Sequence, residues 1–153
     1  AYGGRADIMN MVAPAGPIYQ AGTLSGNPLA VSAGLAALRR VRSENPYPRL
    51  EALGSRLEKG IHDVIAKTRV AAQFNRVGSM FTLFFTKEPV RDFASAKTCD
   101  TTRFNRFFHS MLEQGIYLPP SQFEAAFISA VHTDTDIDRT VNAVEHALTT
   151  VQG

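Results

Sequence analysis

The sequence predicts an α+β fold, a small sheet with helices on one face, and three observations carry that reading. Leu50, Leu53, Leu57, Ile61, Val64 and Ile65 recur at three- and four-residue steps, the pattern of a helix with one buried side. Residues 70–74 and 80–85 are β-rich runs separated by Arg76-Val77-Gly78-Ser79, which reads as a hairpin. Phe104, Phe107, Phe108, Met111 and Leu112 then form a single stripe, placing a second one-sided helix at about 101–114.

In chain order, residues 1–25 alternate Gly, Pro and short apolar pieces without a sustained period, as a loop-rich edge does. Asn27 can cap a helix that Pro28 begins, because the first helical position needs no N–H and proline already has a helical φ. From Pro28 to about residue 41, Leu29, Val31, Ala33, Leu35, Ala36 and Leu38 cover much of the circumference, which predicts a helix buried on several sides. A linker at 43–48, containing Pro46 and Pro48, separates it from the amphipathic helix. That helix carries Arg49, Glu51, Arg56, Glu58, Lys59 and Asp63 on its outer side.

In the hairpin, Met80-Phe81-Thr82-Leu83-Phe84-Phe85 is too apolar for an exposed strand. A polar connection with Pro89 leads to the aromatic helix, which Gly115 caps. Residues 116–118 and 126–130 read as short strands around the loop Pro119-Pro120-Ser121-Gln122-Phe123-Glu124-Ala125. A last helix starts near 133–136, with Ile137, Val141, Val144 and Leu148 inward.

At 153 residues, 44% hydrophobic and 20% charged, the composition is that of a globular chain with one core. A net charge of +2 is too mild to argue for nucleic acid, and the one basic cluster, Arg39-Arg40-Val41-Arg42, sits where a helix end favours cations. The single Cys99 excludes an internal disulfide and fits a reducing compartment. No run approaches the roughly 18 apolar residues that span a bilayer.

Other constellations lead nowhere. Asp134, Asp136, Asp138 and Glu145 match calcium-loop spacing, but Arg139 stands where the loop's turn demands glycine, and capping by Thr133 or Asp134 accounts for the cluster. His62, His109, His132 and His146 show no metal-ligand spacing and read as surface or capping residues.

Two features point to chemistry. Gly22 and Thr23 set a close-approach glycine, free amides and a hydroxyl just ahead of a helix start, an arrangement that suits an anion but also occurs at plain helix starts. Glu124 lies between Phe123 and Ala125 in a loop between two strands. It reads either as a surface glutamate or as an acid whose surroundings tune it for proton transfer or for shaping substrate charge.

The segments 1–9 (Ala-Tyr-Gly-Gly-Arg-Ala-Asp-Ile-Met) and 20–30 (Gln-Ala-Gly-Thr-Leu-Ser-Gly-Asn-Pro-Leu-Ala) closely resemble the glutamate-1-semialdehyde 2,1-aminomutase family of class III aminotransferases. The likeness continues through Gly78-Ser79-Met80-Phe81 and residues 111–118 to Pro120-Ser121-Gln122-Phe123-Glu124-Ala125. Gly-Thr-x-x-Gly-Asn-Pro belongs to the wider class, and Ser-Gln-Phe-Glu to the aminomutases.

The resemblance implies a fold-type I scaffold that binds pyridoxal 5′-phosphate and isomerises glutamate-1-semialdehyde to 5-aminolevulinate on the route to tetrapyrroles. It implies that Gly22 and Thr23 hold the cofactor phosphate from a neighbouring subunit, hence a cytoplasmic homodimer. Tyr19 matches a residue near the active site, and Glu124 an acid where many related aminotransferases bind a substrate carboxylate with Arg. Residues 1–27 then correspond to the edge of the large cofactor-binding domain, 28–45 to an interdomain helix and 46–153 to the C-terminal small α+β domain. Pro119 and Ala126 depart from the Ala and Gly expected around the loop. The family's Schiff-base lysine lies upstream of the Ala-Tyr-Gly-Gly segment, and none of Lys59, Lys67, Lys87 or Lys97 lies in that motif. The chain is therefore expected to be a C-terminal part, inactive alone, with apolar surface exposed on parts of residues 8–19 and on the 28–41 helix. The remaining alternatives are another class III aminotransferase and a cofactor-free α+β dimerisation module.

Overall fold

The computed structural model describes residues 2–151, and the chain divides into two units, Ala1–Asn45 and Pro46–Gly153. The first unit holds a one-turn helix, α1 (Ala6–Met9), and a long one, α2 (Pro28–Glu44). Asn27 caps α2 as expected: its side-chain oxygen accepts from the amides of Leu29 and Ala30, both at 3.1 Å. The helix runs three residues past the expected end, into the anticipated linker. Glu44 pairs with Arg40 one turn back, and Asn45, in the left-handed region at φ 42°, closes the last turn.

The expectation of a helix buried on several sides is not met within this chain. No residue of α2 is buried, and Leu29 and Leu38 are 80% and 70% exposed. Its apolar side chains lie on both sides of the helix, and none of them is buried among the described residues. The anticipated exposure of apolar positions at 8–19 is present as well, at Ile8, Met11, Ile18 and Tyr19.

The second unit carries α3 (Tyr47–Thr68), β1 (Gln73–Val77), β2 (Met80–Phe84), α4 (Phe93–Lys97), α5 (Thr101–Glu113), β3 (Ala126–Phe127) and α6 (Asp134–Thr150). The strands form an antiparallel sheet in the order β1-β2-β3. In the hairpin register Phe74 faces Leu83 and Arg76 faces Phe81, so these four side chains share one face. On that face Leu53, Leu57, Ile61 and Val64 of α3, Phe104, Phe107 and Met111 of α5, and Val144, Ala147 and Leu148 of α6 build the main core with Phe74 and Leu83. Helices α3 and α6 approach closely at Gly60, where an added Cβ would lie 2.6 Å from a Val141 methyl.

Three sequence expectations are corrected here. The first strand lies at 73–77, not 70–74. Arg69 ends α3 in the left-handed region at φ 55°, so Val70 and Ala72 are spent burying the turn into the strand. Arg76 and Val77, expected in the connection, instead pair with Phe81 and Met80, leaving Gly78, at φ 59°, to make the reversal. Residues 116–118 form no strand. The amides of Gly115 and Ile116 close the end of α5 on the carbonyls of Leu112 and Met111, with Gly115 at φ 76° supplying the expected cap. The 126–130 run is a strand only over its first two residues, because a turn from Ser129 to His132 ends it.

Helices do not lie on one face alone. Short α4 was not anticipated; it is set by a reciprocal capping box between Asp92 and Ser95. With Val90 and Cys99 its Ala96 forms a small second cluster around Phe84, whose side chain points away from Leu83. Asn75, in register with Thr82 on that same face, donates to the Val90 carbonyl at 2.8 Å. The three long helices thus pack one side of the sheet, and the α4 segment covers part of the other.

Candidate active site

Residues singled out from the sequence fall in both units: Tyr19, Gly22 and Thr23 in the first, Glu124 in the second. In the first unit, Ser25 donates to the Gly22 carbonyl at 3.0 Å and Asn27 to the Leu24 carbonyl at 3.0 Å. These bonds form a tight turn that Gly26, at φ 75°, leads into α2. Because Asn27 already occupies the amides of Leu29 and Ala30, the donors left for an anion are those of the turn. Among the described residues no partner takes the Thr23 or Leu24 amide or the Thr23 hydroxyl. Two amides and a hydroxyl are thus spare donors beside the positive end of the α2 dipole, the kind of groups an anion can take. Tyr19 stands three residues before Gly22 and is 82% exposed.

In the second unit, Glu124 is exposed on the loop between α5 and β3. It lines a cleft of about 590 Å³ with Tyr117, Pro119, His132, Asp136 and Arg139. Thr133 both caps α6 and ties the Asp136 carboxylate, holding it below the usual aspartate range through the Thr133 amide and hydroxyl. His132 Nδ1 accepts the Ser129 amide at 2.9 Å, which leaves the ring proton on Nε2. Arg139 reaches the Gln114 carbonyl at 3.4 Å. Pro119, one of the two departures from the expected loop, forms part of the cleft wall. Ala126, the other, pairs with Phe81 in the sheet.

The Glu124 loop is knitted by Ser121, whose carbonyl accepts the Glu124 amide at 3.1 Å and whose hydroxyl accepts the Phe123 amide at 3.2 Å. Gln122 is the one buried residue of 119–125. Gln122 lies inside the Ser-Gln-Phe-Glu segment and Tyr117 inside the resembling 111–118 stretch, but neither they nor His132 and Arg139 were assigned a functional role from the sequence. Cys99 is buried against the Ser95 carbonyl, and burial pushes its thiol pKa up, the opposite of what a nucleophile needs. Of the carboxylates at calcium-loop spacing, Asp136 is committed to Thr133 and Asp138 to Arg56. Among the described residues no helix is long and apolar enough to cross a membrane.

Comparison with known proteins decides the setting of both parts. The profile of the class-III aminotransferases matches residues 1–148. The chain belongs to that family. A glutamate-1-semialdehyde 2,1-aminomutase from Anaeromyxobacter sp. strain K is 59% identical over 147 residues, which is 96% of this chain and 34% of that protein. One from Persephonella marina is 55% identical over 145 residues, 95% of this chain and 34% of that one. The crystal structure of a glutamate-1-semialdehyde-aminomutase from Pseudomonas aeruginosa PAO1 shares the fold at a TM-score of 0.77 and 21% identity, over 90% of this chain and 31% of that chain. This class-III chain thus spans about a third of the length of the relatives it matches.

Proposed function

We propose that this chain is the C-terminal part of a pyridoxal 5′-phosphate-dependent aminomutase that isomerises glutamate-1-semialdehyde to 5-aminolevulinate, a precursor of tetrapyrroles. The carrying observation is 59% and 55% identity, over nearly all of the chain, to proteins of that name. In this reading residues 1–27 are the edge of the large domain, 28–45 an interdomain helix and 46–153 the small domain of a fold-type I enzyme.

The Gly22–Ser25 turn fits the cofactor's phosphate chemically, because its spare donors are of the kind that a dianion collects. Thr23 and Leu24 donate their amides and Thr23 its hydroxyl, while Gly22 keeps the turn free of a side chain on the approach. An added Cβ there would lie 2.8 Å from the Ser25 hydroxyl. The turn serves the neighbouring subunit of a cytoplasmic homodimer, and Tyr19 stands beside the reacting groups. Glu124 offers a carboxylate where related aminotransferases place Arg, so it attracts an ammonium or accepts an N–H and disfavours a second substrate carboxylate. When bound, the cofactor supplies the electron sink for exchanging an amino group between adjacent carbons.

In this reading the Schiff-base lysine lies upstream of the Ala-Tyr-Gly-Gly segment and none of Lys59, Lys67, Lys87 and Lys97 lies in that motif, so the chain is inactive by itself. The test is to supply glutamate-1-semialdehyde to the full-length protein and to this chain alone. Production of 5-aminolevulinate by the former and not the latter is expected. Amino-group transfer between two separate substrates, without isomerisation, would replace this reading with that of an ordinary class-III aminotransferase.

A further inference from the structure

We infer that Gln122 is a positioning residue for Glu124, tethering the loop that carries it to helix α4 on the far side of the sheet. The inference rests on the reading of Glu124 as a substrate-facing acid. Among the described residues no hydrogen bond or ion pair holds the Glu124 carboxylate, so its place at the cleft is set by its backbone alone. That backbone is anchored two residues away on either side. Downstream, Ala126 pairs with Phe81 of β2. Upstream, Gln122, only 2% exposed, donates from Nε2 to the Ala96 carbonyl at 3.0 Å.

Ala96 lies in the last turn of α4, where carbonyls lack helical partners, and its carbonyl also accepts the Cys99 amide at 3.2 Å. α4 is itself fixed at its start by the Asp92–Ser95 capping box and underneath by Ala96 and Cys99 packed around Phe84. Phe93 of α4 also meets the ring of Phe123, centroid to centroid at 5.9 Å.

The chemistry of Gln122 is informative. Burying an amide costs free energy unless its groups are bonded, and an apolar side chain would fill the same space without that cost. Here Nε2 is bonded while the buried Oε1 has no partner among the described residues, so the residue is poorly chosen for stability alone. It does supply a directed bond that fixes where the loop stops. A carboxylate misplaced by about 1 Å can cost on the order of a hundredfold in rate, which gives such a tether a function.

The test uses the full-length enzyme and a double-mutant cycle. Gln122→Met keeps the length and burial of the side chain but removes the tether, and kcat/KM for glutamate-1-semialdehyde is expected to fall about tenfold or more. In a Glu124→Gln background the same substitution should change kcat/KM by less than about twofold, because its effect passes through the acid. Ser95→Ala, which loosens α4 from a half-buried position, should give a smaller loss with the same dependence on Glu124, and it carries the test if Gln122→Met fails to fold. Equal fold losses in the two backgrounds, or no loss from either variant with Glu124 intact, overturn the tether while leaving the role of Glu124 standing. Full turnover by Glu124→Gln alone overturns both.

Discussion

Helices α2 and α3 have similar length and apolar content but opposite fates in this chain. α3 gathers Leu53, Leu57, Ile61 and Val64 on one side and buries all four, whereas α2 sets Leu29, Ala33 and Ala36 on one side and Val31, Leu35 and Leu38 on the other and buries none. A one-sided stripe can be satisfied by one layer of neighbours, here α6, α5 and the sheet. A two-sided pattern needs cover from several directions, and among the described residues no side chain of α2 is buried. α2 is consequently held in this chain by its ends, through Asn27 and Asn45, while α3 is held by its middle.

The sharpest way to break that contrast is truncation of a large side chain in each place. Leu148 is fully buried among α3, α5 and α6, and Leu148→Ala should destabilise the isolated chain by about 2–5 kcal/mol in urea unfolding, through lost transfer energy and the cavity left behind. Leu38→Ala in α2 should stay within about 0.5 kcal/mol. Equal costs would show that α2 is buried in solution.

The Gly22–Thr23 turn contrasts with the core in the same way. In the full-length protein Thr23→Val, which keeps the side chain's shape, should weaken retention of pyridoxal phosphate by roughly 1.5–3 kcal/mol, the worth of a hydrogen bond to a charged group. It should leave the urea midpoint of the isolated chain unchanged, because Thr23 is exposed and bonds nothing else among the described residues. Unaltered cofactor affinity, measured by equilibrium dialysis, would remove Thr23 from the phosphate site.

What could be read from the sequence follows the same division between local and distant causes. α3, α5 and α6 were legible because each repeats its apolar stripe over several turns, and the caps at Asn27 and Gly115 because each is a local signal. α4 was not legible: five residues are too few for a period, and its capping box is completed by a serine rather than the usual Glu or Gln. β1 was displaced in the reading because Gln73, Asn75 and Arg76 look like loop residues. Arg76 belongs to the strand because Glu51, Glu58 and the Gly78 carbonyl engage its guanidinium, partners the strand's own sequence does not reveal. Gly22, Thr23, Tyr19 and Glu124 were singled out through contiguous motifs. Gln122 sits inside the same motif, but its significance depends on a carbonyl 26 residues away, which no local pattern encodes.

The caps offer a smaller test of the first contrast. Asn27→Ala should cost about 1 kcal/mol of helix stability. Because α2 has no buried face in this chain to absorb the loss, circular dichroism should show reduced helicity before global unfolding. Thr133→Ala removes an equivalent capping box from α6, whose inward face is buried. Its cost should instead appear as a lower urea midpoint with native helicity unchanged. Identical behaviour of the two variants would mean that packing does not distinguish the helices.

The smallest effect expected is that of acid, and it too separates the units by how far apart the partners lie. The Arg76 guanidinium, its side chain only 9% exposed, holds the Glu51 carboxyl below the ordinary glutamate value of 4.5, and Arg56 likewise lowers Asp138 from 3.8. Both bonds join elements distant in sequence and are lost on unfolding. A carboxylate whose folded pKa lies below its unfolded one stabilises the fold above the unfolded value, and that contribution disappears as pH falls through the folded value. The urea midpoint of the second unit should therefore be flat above about pH 5 and decline below 4.5, with Arg76→Gln flattening the decline. Asp7 is also lowered, by Arg5, but its partner is two residues away and stays within reach in the unfolded chain. Arg5→Gln should therefore leave the acid limb where it is; a shift as large as that from Arg76→Gln would mean that the first unit contributes tertiary electrostatics of its own.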